Sequence, residues 1–176
     1  MNPIEYGNAL FLLAKEEGTC ERIKNEAGCV NSLLNSHPKY LTLLDTPAVP
    51  NAEKHQLVDT AFLGMHPHLL NFIKILISKR SVYLFPRAYA AYCDAYDEEN
   101  NILHASAVTA VPLSKEQSDM LTAKLCKITG KNVILNNKID RSLVGGVRLQ
   151  FDGKQLDSSI DAQLAALRRS LKQSNL

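Results

Sequence analysis

The sequence predicts an α+β protein of two domains. A six-helix bundle spans residues 1–104, and a small α/β domain with the order strand–helix–strand–strand–helix spans residues 105–176. Three observations lead there. Up to about Asn100, apolar residues recur at helical spacing between short breaks marked by Pro and Gly. Beyond that point the period becomes two, in His104–Val111, Val133–Ile139 and Val147–Phe151. The charge changes at the same place. Residues 1–104 hold 9 basic and 12 acidic side chains and residues 105–176 hold 11 and 6, so the halves carry −3 and +5. Such an asymmetry is expected of domains with different partners.

Each helix can be justified in turn. Pro3 suits a first helical turn, and Tyr6, Ala9, Leu10 and Leu13 follow at i, i+3, i+4 and i+7 before Gly18 stops the run. Phe11, Leu12 and Ala14 are apolar as well, so this helix has more than one greasy side and is either central or buries a second face elsewhere. A second helix runs from Thr19 or Cys20 to Asn35, where His37-Pro38 breaks it. Tyr40, Leu41, Leu43 and Leu44 form a short third helix. A fourth follows Pro50-Asn51 with Leu57, Val58, Ala61 and Phe62 as its inner face. The fifth starts after Pro67 and is apolar almost all round, through Leu69, Leu70, Phe72, Ile73, Ile75, Leu76 and Ile77. The sixth, from Pro86 to Asn100, carries a stripe of Tyr89, Tyr92 and Tyr96. Short breaks between six helices describe an antiparallel bundle.

In the second half, Ser114-x-x-Gln117 after Pro112 is a capping box. The helix it opens carries Leu121, Leu125 and Ile128 and ends at Gly130. Gly145-Gly146 opens the third strand and Asp152-Gly153 ends it. A last helix is expected from about Asp157–Ser158, with Leu156, Ile160, Leu164, Leu167 and Leu171 at spacings of four, four, three and four. Asp157 and Asp161 stand at its start and Arg168, Arg169 and Lys172 at its end, matching the helix dipole.

The totals exclude several classes. With 45% hydrophobic and 22% charged residues the chain is globular, and a net charge of +2 does not point to nucleic acid or a membrane surface. No run approaches the roughly 18 apolar residues of a membrane span, and no leader precedes the first helix, so the cytoplasm is the default address. Cys20, Cys29, Cys93 and Cys126 lack C-x-x-C spacing and read as reduced, partly buried thiols.

No constellation for chemistry stands out. Gly145-Gly146 precedes a strand and lacks the Gly-Lys-Ser/Thr of a phosphate loop. His66-Pro67-His68 has no further ligands at workable spacing for a metal. His104 is an ordinary residue at the domain junction. Asp94, Asp97, Glu98 and Glu99 spread around a helix as a solvated face. The expectation is a binding protein with no catalytic residue, cofactor or metal. Two alternatives from other classes are a small enzyme with an unrecognised site and a nucleic-acid module using the basic half.

Ile139-Asp140-x-Ser142-Leu143-Val144-Gly145-Gly146-Val147-x-Leu149, with Asp157-x-Ser159-Ile160 after it, resembles the C-terminal signature of the delta subunits of F-type ATP synthases. The mitochondrial counterpart of that family is the oligomycin-sensitivity-conferring protein. Tyr6-Gly7-Asn8-Ala9-Leu10 and Leu70-Asn71-Phe72-Ile73-x-Ile75-Leu76 resemble two further segments of it. The resemblance implies a non-catalytic stator subunit on the cytoplasmic face of the membrane, without insertion into it. Its helical domain would hold the catalytic head, through an alpha subunit with beta as a second candidate, and its α/β domain would hold b-type stalk subunits. It also implies that Tyr6, Ala9, Leu10, Leu13, Phe72, Ile75 and Leu76 line or border a groove for the alpha subunit's N-terminal helix, which would explain why two helices are over-greasy. Three positions depart from the family: Ile4 where a basic residue is common, Gly7 where alanine is usual, and Ser81 where arginine often follows.

Overall fold

A computed structural model describes residues 2–157 apart from 144 and 152. It divides into two compact units, Met1–Asp97 and Glu98–Leu176. Seven α-helices and a four-stranded mixed sheet make up the described residues, so the chain is α+β.

The helices of the first unit begin and end where local chemistry dictates. α1 (Pro3–Glu16) is capped by Asn2, whose Oδ1 accepts the Ile4 N–H at 3.2 Å. Gly18 at φ +66 closes it, with the Thr19 N–H donating to the Ala14 carbonyl at 2.9 Å. α2 (Cys20–Ser36) and α3 (Pro38–Asp45) are separated at His37, ahead of Pro38. α4 (Asn51–Ala61) follows Pro50, α5 (Pro67–Ser78) starts on Pro67, and a 3₁₀ turn over Val82–Leu84 leads into α6 (Phe85–Glu99). One apolar core joins them. Ala14, Ile23, Val30, Leu44, Val58, Leu69, Ile77 and Val82 have no exposure at all.

One face was misread from the sequence. α4 turns Lys54, Val58 and Phe62 inward, whereas Leu57 and Ala61 are exposed. A lysine is read as polar, yet its long stem packs like an apolar side chain once the ammonium finds an acceptor. Here the Lys54 Nζ donates to the Thr46 carbonyl at 2.6 Å, beyond the end of α3. Of the four free cysteines, Cys29 is exposed rather than partly buried.

In the second unit β1 (Ile102–Thr109) starts two residues before the predicted His104. α7 (Lys115–Thr129) has both bonds of the predicted capping box, Gln117 N–H to Ser114 Oγ at 3.2 Å and Ser114 N–H to Gln117 Oε1 at 3.0 Å. β2 (Asn132–Ile139) runs parallel to β1, and β3 (Val147–Phe151) antiparallel to it. A fourth strand, β4 (Lys154–Asp157), pairs antiparallel with β3, giving the order β2-β1-β3-β4. The sequence reading missed this strand. It placed Leu156 and Asp157 at the start of a helix, whereas both lie in β4 with Leu156 opposite Leu149. Phe151 pairs with Lys154 on either side of Gly153, which stands at φ +67. The predicted last helix from Ser158 onward, with Ile160, Leu164, Leu167 and Leu171, lies outside the described residues, as do Val144 and Asp152. Leu103, Ala105, Ala107, Leu125, Val133 and Leu149 form this unit's core.

Candidate functional site

The seven groove residues predicted from the sequence lie on α1 and α5, which pack against each other. Their stripe on α1 is out of register with the face the helix buries. Gly7, Leu10, Phe11 and Ala14 go into the core, so the buried face is displaced from Tyr6, Ala9, Leu10 and Leu13 by about one residue. Leu10 is shared between the two. Ala9 and Leu13 are left exposed and Tyr6 is half-buried at the margin of the core. On α5 the same division holds. Phe72 and Leu76 are buried, whereas Ile75 keeps 45% of its surface exposed. Sequence could not separate buried from exposed among these residues, and the structure does.

A tie joins the two helices. Glu17, at the end of α1, lies with its Oε1 2.9 Å from the His68 Nε2 and its Oε2 3.4 Å from the His66 Nε2. The His66 Nδ1 accepts the His68 N–H at 3.3 Å, which caps α5 and leaves Nε2 to carry the proton toward the carboxylate. Glu17 continues the α1 edge Tyr6-Leu10-Leu13, and His68 begins the α5 edge His68-Phe72-Ile75-Lys79. The tie therefore fixes the end of α1 against the start of α5, one turn beyond Leu13. Glu17 and His68 were not singled out from the sequence, though extending each stripe by one turn would have reached them.

Ile75 also lines an open depression of about 450 Å³ with Asn71, Lys79 and, from α4, His55. Ile4 and Leu12 are also exposed on α1, at 57% and 58%, but they point away from the side that carries Leu13. A larger open depression of about 710 Å³ lies elsewhere, between Leu33, Tyr40, Leu43 and Ala61, and the sequence reading placed nothing there.

The His66-Pro67-His68 pair is thus engaged with Glu17, and among the described residues no group of three or more His, Cys, Asp or Glu is arranged to hold a metal ion. Within the acidic run Asp97 pairs with Lys24 at 2.9 Å. Burial pushes the Tyr89 hydroxyl up to about 12, helped by its hydrogen bond with Cys93, and pushes the Cys93 thiol upward as well. These shifts come from packing of α2 against α6 and not from a reactive cleft.

The signature residues of the second unit do structural work. The Asp140 carboxylate accepts from the Ser142 N–H at 3.0 Å and from its hydroxyl at 2.6 Å, and these bonds hold its pKa below the usual carboxylate range. Its own N–H donates to the Thr109 carbonyl at 2.9 Å, fixing the exit of β2 beside β1. Ile139 ends β2 half-exposed, and Leu143 tucks into the unit with 5% exposure. Gly146 enters β3 at φ +88, a value that favours glycine. Gly145 precedes it, Val147 is half-buried and Leu149 buried. Asp157 lies on β4 and Ile160 lies outside the described residues.

Comparison with known proteins agrees with this architecture. The family described as "ATP synthase delta (OSCP) subunit" matches residues 4–171. The chain is 32% identical over 167 residues to the ATP synthase subunit delta of Alkaliphilus oremlandii, covering 94% of this chain and 93% of that one. It is 30% identical to the subunit of the same name from Dinoroseobacter shibae, over 96% and 91%. A chain in the cryo-EM structure of the Toxoplasma gondii mitochondrial ATP synthase hexamer superposes with a TM-score of 0.69 at 22% identity, covering 97% of each, a likeness of fold. With a family match over nearly its whole length and relatives at about a third identity, the chain belongs to the ATP synthase delta (OSCP) subunit family.

Proposed function

We propose that the helical unit holds the catalytic head of the synthase through the α1–α5 edge, and that the second unit holds the peripheral stalk. Family membership makes the chain a non-catalytic stator component of an F-type ATP synthase. It decides against the enzyme and nucleic-acid alternatives. Such a component ties the stationary head to the stalk, so that ion-driven rotation is coupled to ATP synthesis. It is a peripheral part of a membrane complex, and no described helix is long and apolar enough to cross a membrane.

The division of labour and the partners are our reading. The observation that carries it is the displacement between stripe and buried face on α1, which leaves Ala9 and Leu13 exposed there while Ile75 is exposed on α5, the helix packed against it. A surface of this kind fits the apolar face of an amphipathic helix, and the alpha subunit's N-terminal helix is the occupant we assign. The finer architecture that accompanies it is an antiparallel six-helix bundle capping the head, on the cytoplasmic face. The α/β unit, at +5 in residues 105–176, is assigned to b-type stalk subunits. Two linked sites also slow dissociation of the whole tie, because the second contact forms at high effective concentration.

The test uses the full chain with Leu13→Asp and Ile75→Asp together. Binding to the purified head should be lost while binding to the stalk persists. Retained head binding, or loss of both with the fold intact, would refute the assignment.

A further inference from the structure

The same edge carries a charge polarity that fixes which way round the partner helix lies. At one end are Glu16 and Glu17, the latter beside His68 at the start of α5. At the other end of α5 are Lys79 and Arg80, both exposed. At about 1.5 Å per residue, His68 and Lys79 stand roughly 16 Å apart along the helix. Between them lies the apolar stretch of Leu13 and Ile75. Among the described residues Lys79 and Arg80 meet no acidic side chain.

Arg80 has a second peculiarity. It occupies the left-handed position after α5, at φ +50, with its N–H donating to the Ile77 carbonyl and the Ser81 N–H donating to the Leu76 carbonyl, both at 2.9 Å. α1 ends in the same motif, where Gly18 fills the corresponding place at φ +66, and α7 ends on Gly130 at φ +69. The chain thus places glycine in the left-handed region after α1 and α7, Asn101 at φ +52 after α6, and an arginine after α5, at the basic end of the proposed groove. Strain of this sort persists where the side chain is needed.

We propose that Arg80, with Lys79, receives the acidic end of the docked helix, that the basic end of that helix lies over Glu16 and Glu17, and that Arg80 sets this register. The assignment rests on the groove reading above. Its occupant is an amphipathic helix with opposite charges at its two ends, chosen by complementarity to the edge.

Arg80→Gly separates a functional role from a structural one, because the two move in opposite directions. Relief of the left-handed strain should raise the melting temperature of the full chain by about 2–4 °C. Affinity for the purified cognate catalytic head should fall roughly fivefold, with a weaker dependence on salt. Arg80→Gln keeps the strain and removes the charge, and should lose the same affinity. If Arg80→Gly binds the head as tightly as the original chain while the Leu13→Asp, Ile75→Asp variant does not, the groove stands and the role of Arg80 falls. If Arg80→Gly weakens binding and Arg80→Gln does not, the loss comes from the backbone and the proposal is overturned. If the Leu13→Asp, Ile75→Asp variant also binds normally, the groove itself is wrong.

Discussion

Gly7 of α1 lies so close to Ala88 of α6 that a Cβ at position 7 would overlap the Ala88 carbonyl oxygen and come within 2.9 Å of the Ala91 Cβ. Glycine is a poor helix former, and alanine in its place gains about 1 kcal/mol of helix propensity. Here that gain is outweighed, because the obstacle is backbone and cannot rotate away. Gly7→Ala should therefore lower stability by roughly 1–3 kcal/mol, the usual cost of overpacking. Chemical denaturation would show it, and a stabilised Gly7→Ala would mean that α1 can lift off α6. The departure from the family's alanine at this position has a physical reason in this chain.

Core and groove residues should separate by assay. Leu10→Ala and Leu76→Ala remove side chains with 5% and 1% exposure, so each should cost about 2–5 kcal/mol of stability. Ile75→Ala and Leu13→Ala should leave stability within about 1 kcal/mol and weaken head binding by roughly 1–3 kcal/mol. Tyr6→Ala should do some of both, since Tyr6 is half-buried against the core. Parallel melting and head-binding measurements on the five variants check the division.

Lys54 is 1% exposed, and its ammonium donates to the Thr46 carbonyl at 2.6 Å. Lys54→Ala opens a cavity and leaves a buried carbonyl without its donor, and should destabilise by about 2–4 kcal/mol. Lys74→Ala removes a far more exposed ion pair with Asp59 and should cost under about 1 kcal/mol. Equal costs for the two variants in urea titrations would contradict the burial of Lys54.

Tyr89 ties stability to alkaline pH. Burial raises its pKa from 10.0 to about 12, so the folded chain holds the phenol proton more tightly than the unfolded chain. The associated stability is complete below pH 10, declines as pH rises from about 10 to 12, and is gone above that. Tyr92 shifts in the same direction for the same first cause. Tyr89→Phe should flatten part of the decline. Absorbance titration of the phenolates beside denaturation at several pH values would check both the ionisation and its effect.

The Arg148–Asp157 pair links β3 to β4 at 3.1 Å, with both side chains about one-third exposed. Asp157→Asn should cost under about 1 kcal/mol, and less in high salt. A loss of several kcal/mol would show that the pair holds the sheet edge rather than decorating it.

The sequence by itself determined the helices, because Pro3, Pro38, Pro67, Gly18 and Gly130 punctuate runs whose period is local information. The capping box at Ser114 and Gln117 was legible for the same reason, since its two bonds join residues three apart. The resemblance carried by Ile139–Leu149 was likewise readable, although only the structure shows Asp140 and Ser142 bonded into the turn. Tertiary structure alone decided which side of each helix is covered. Tyr6, Leu10, Leu13, Ile75 and Leu76 have the same apolar chemistry, and only the positions of α5 and α6 beside α1 separate core from edge. The inner face of α4 was misread because the acceptor that lets Lys54 turn inward comes from the segment after α3, and β4 was missed because a four-residue strand is specified by its partner more than by its own pattern. Burial and strand pairing arise from contacts between segments distant in the chain, and those contacts exist only once the chain has folded.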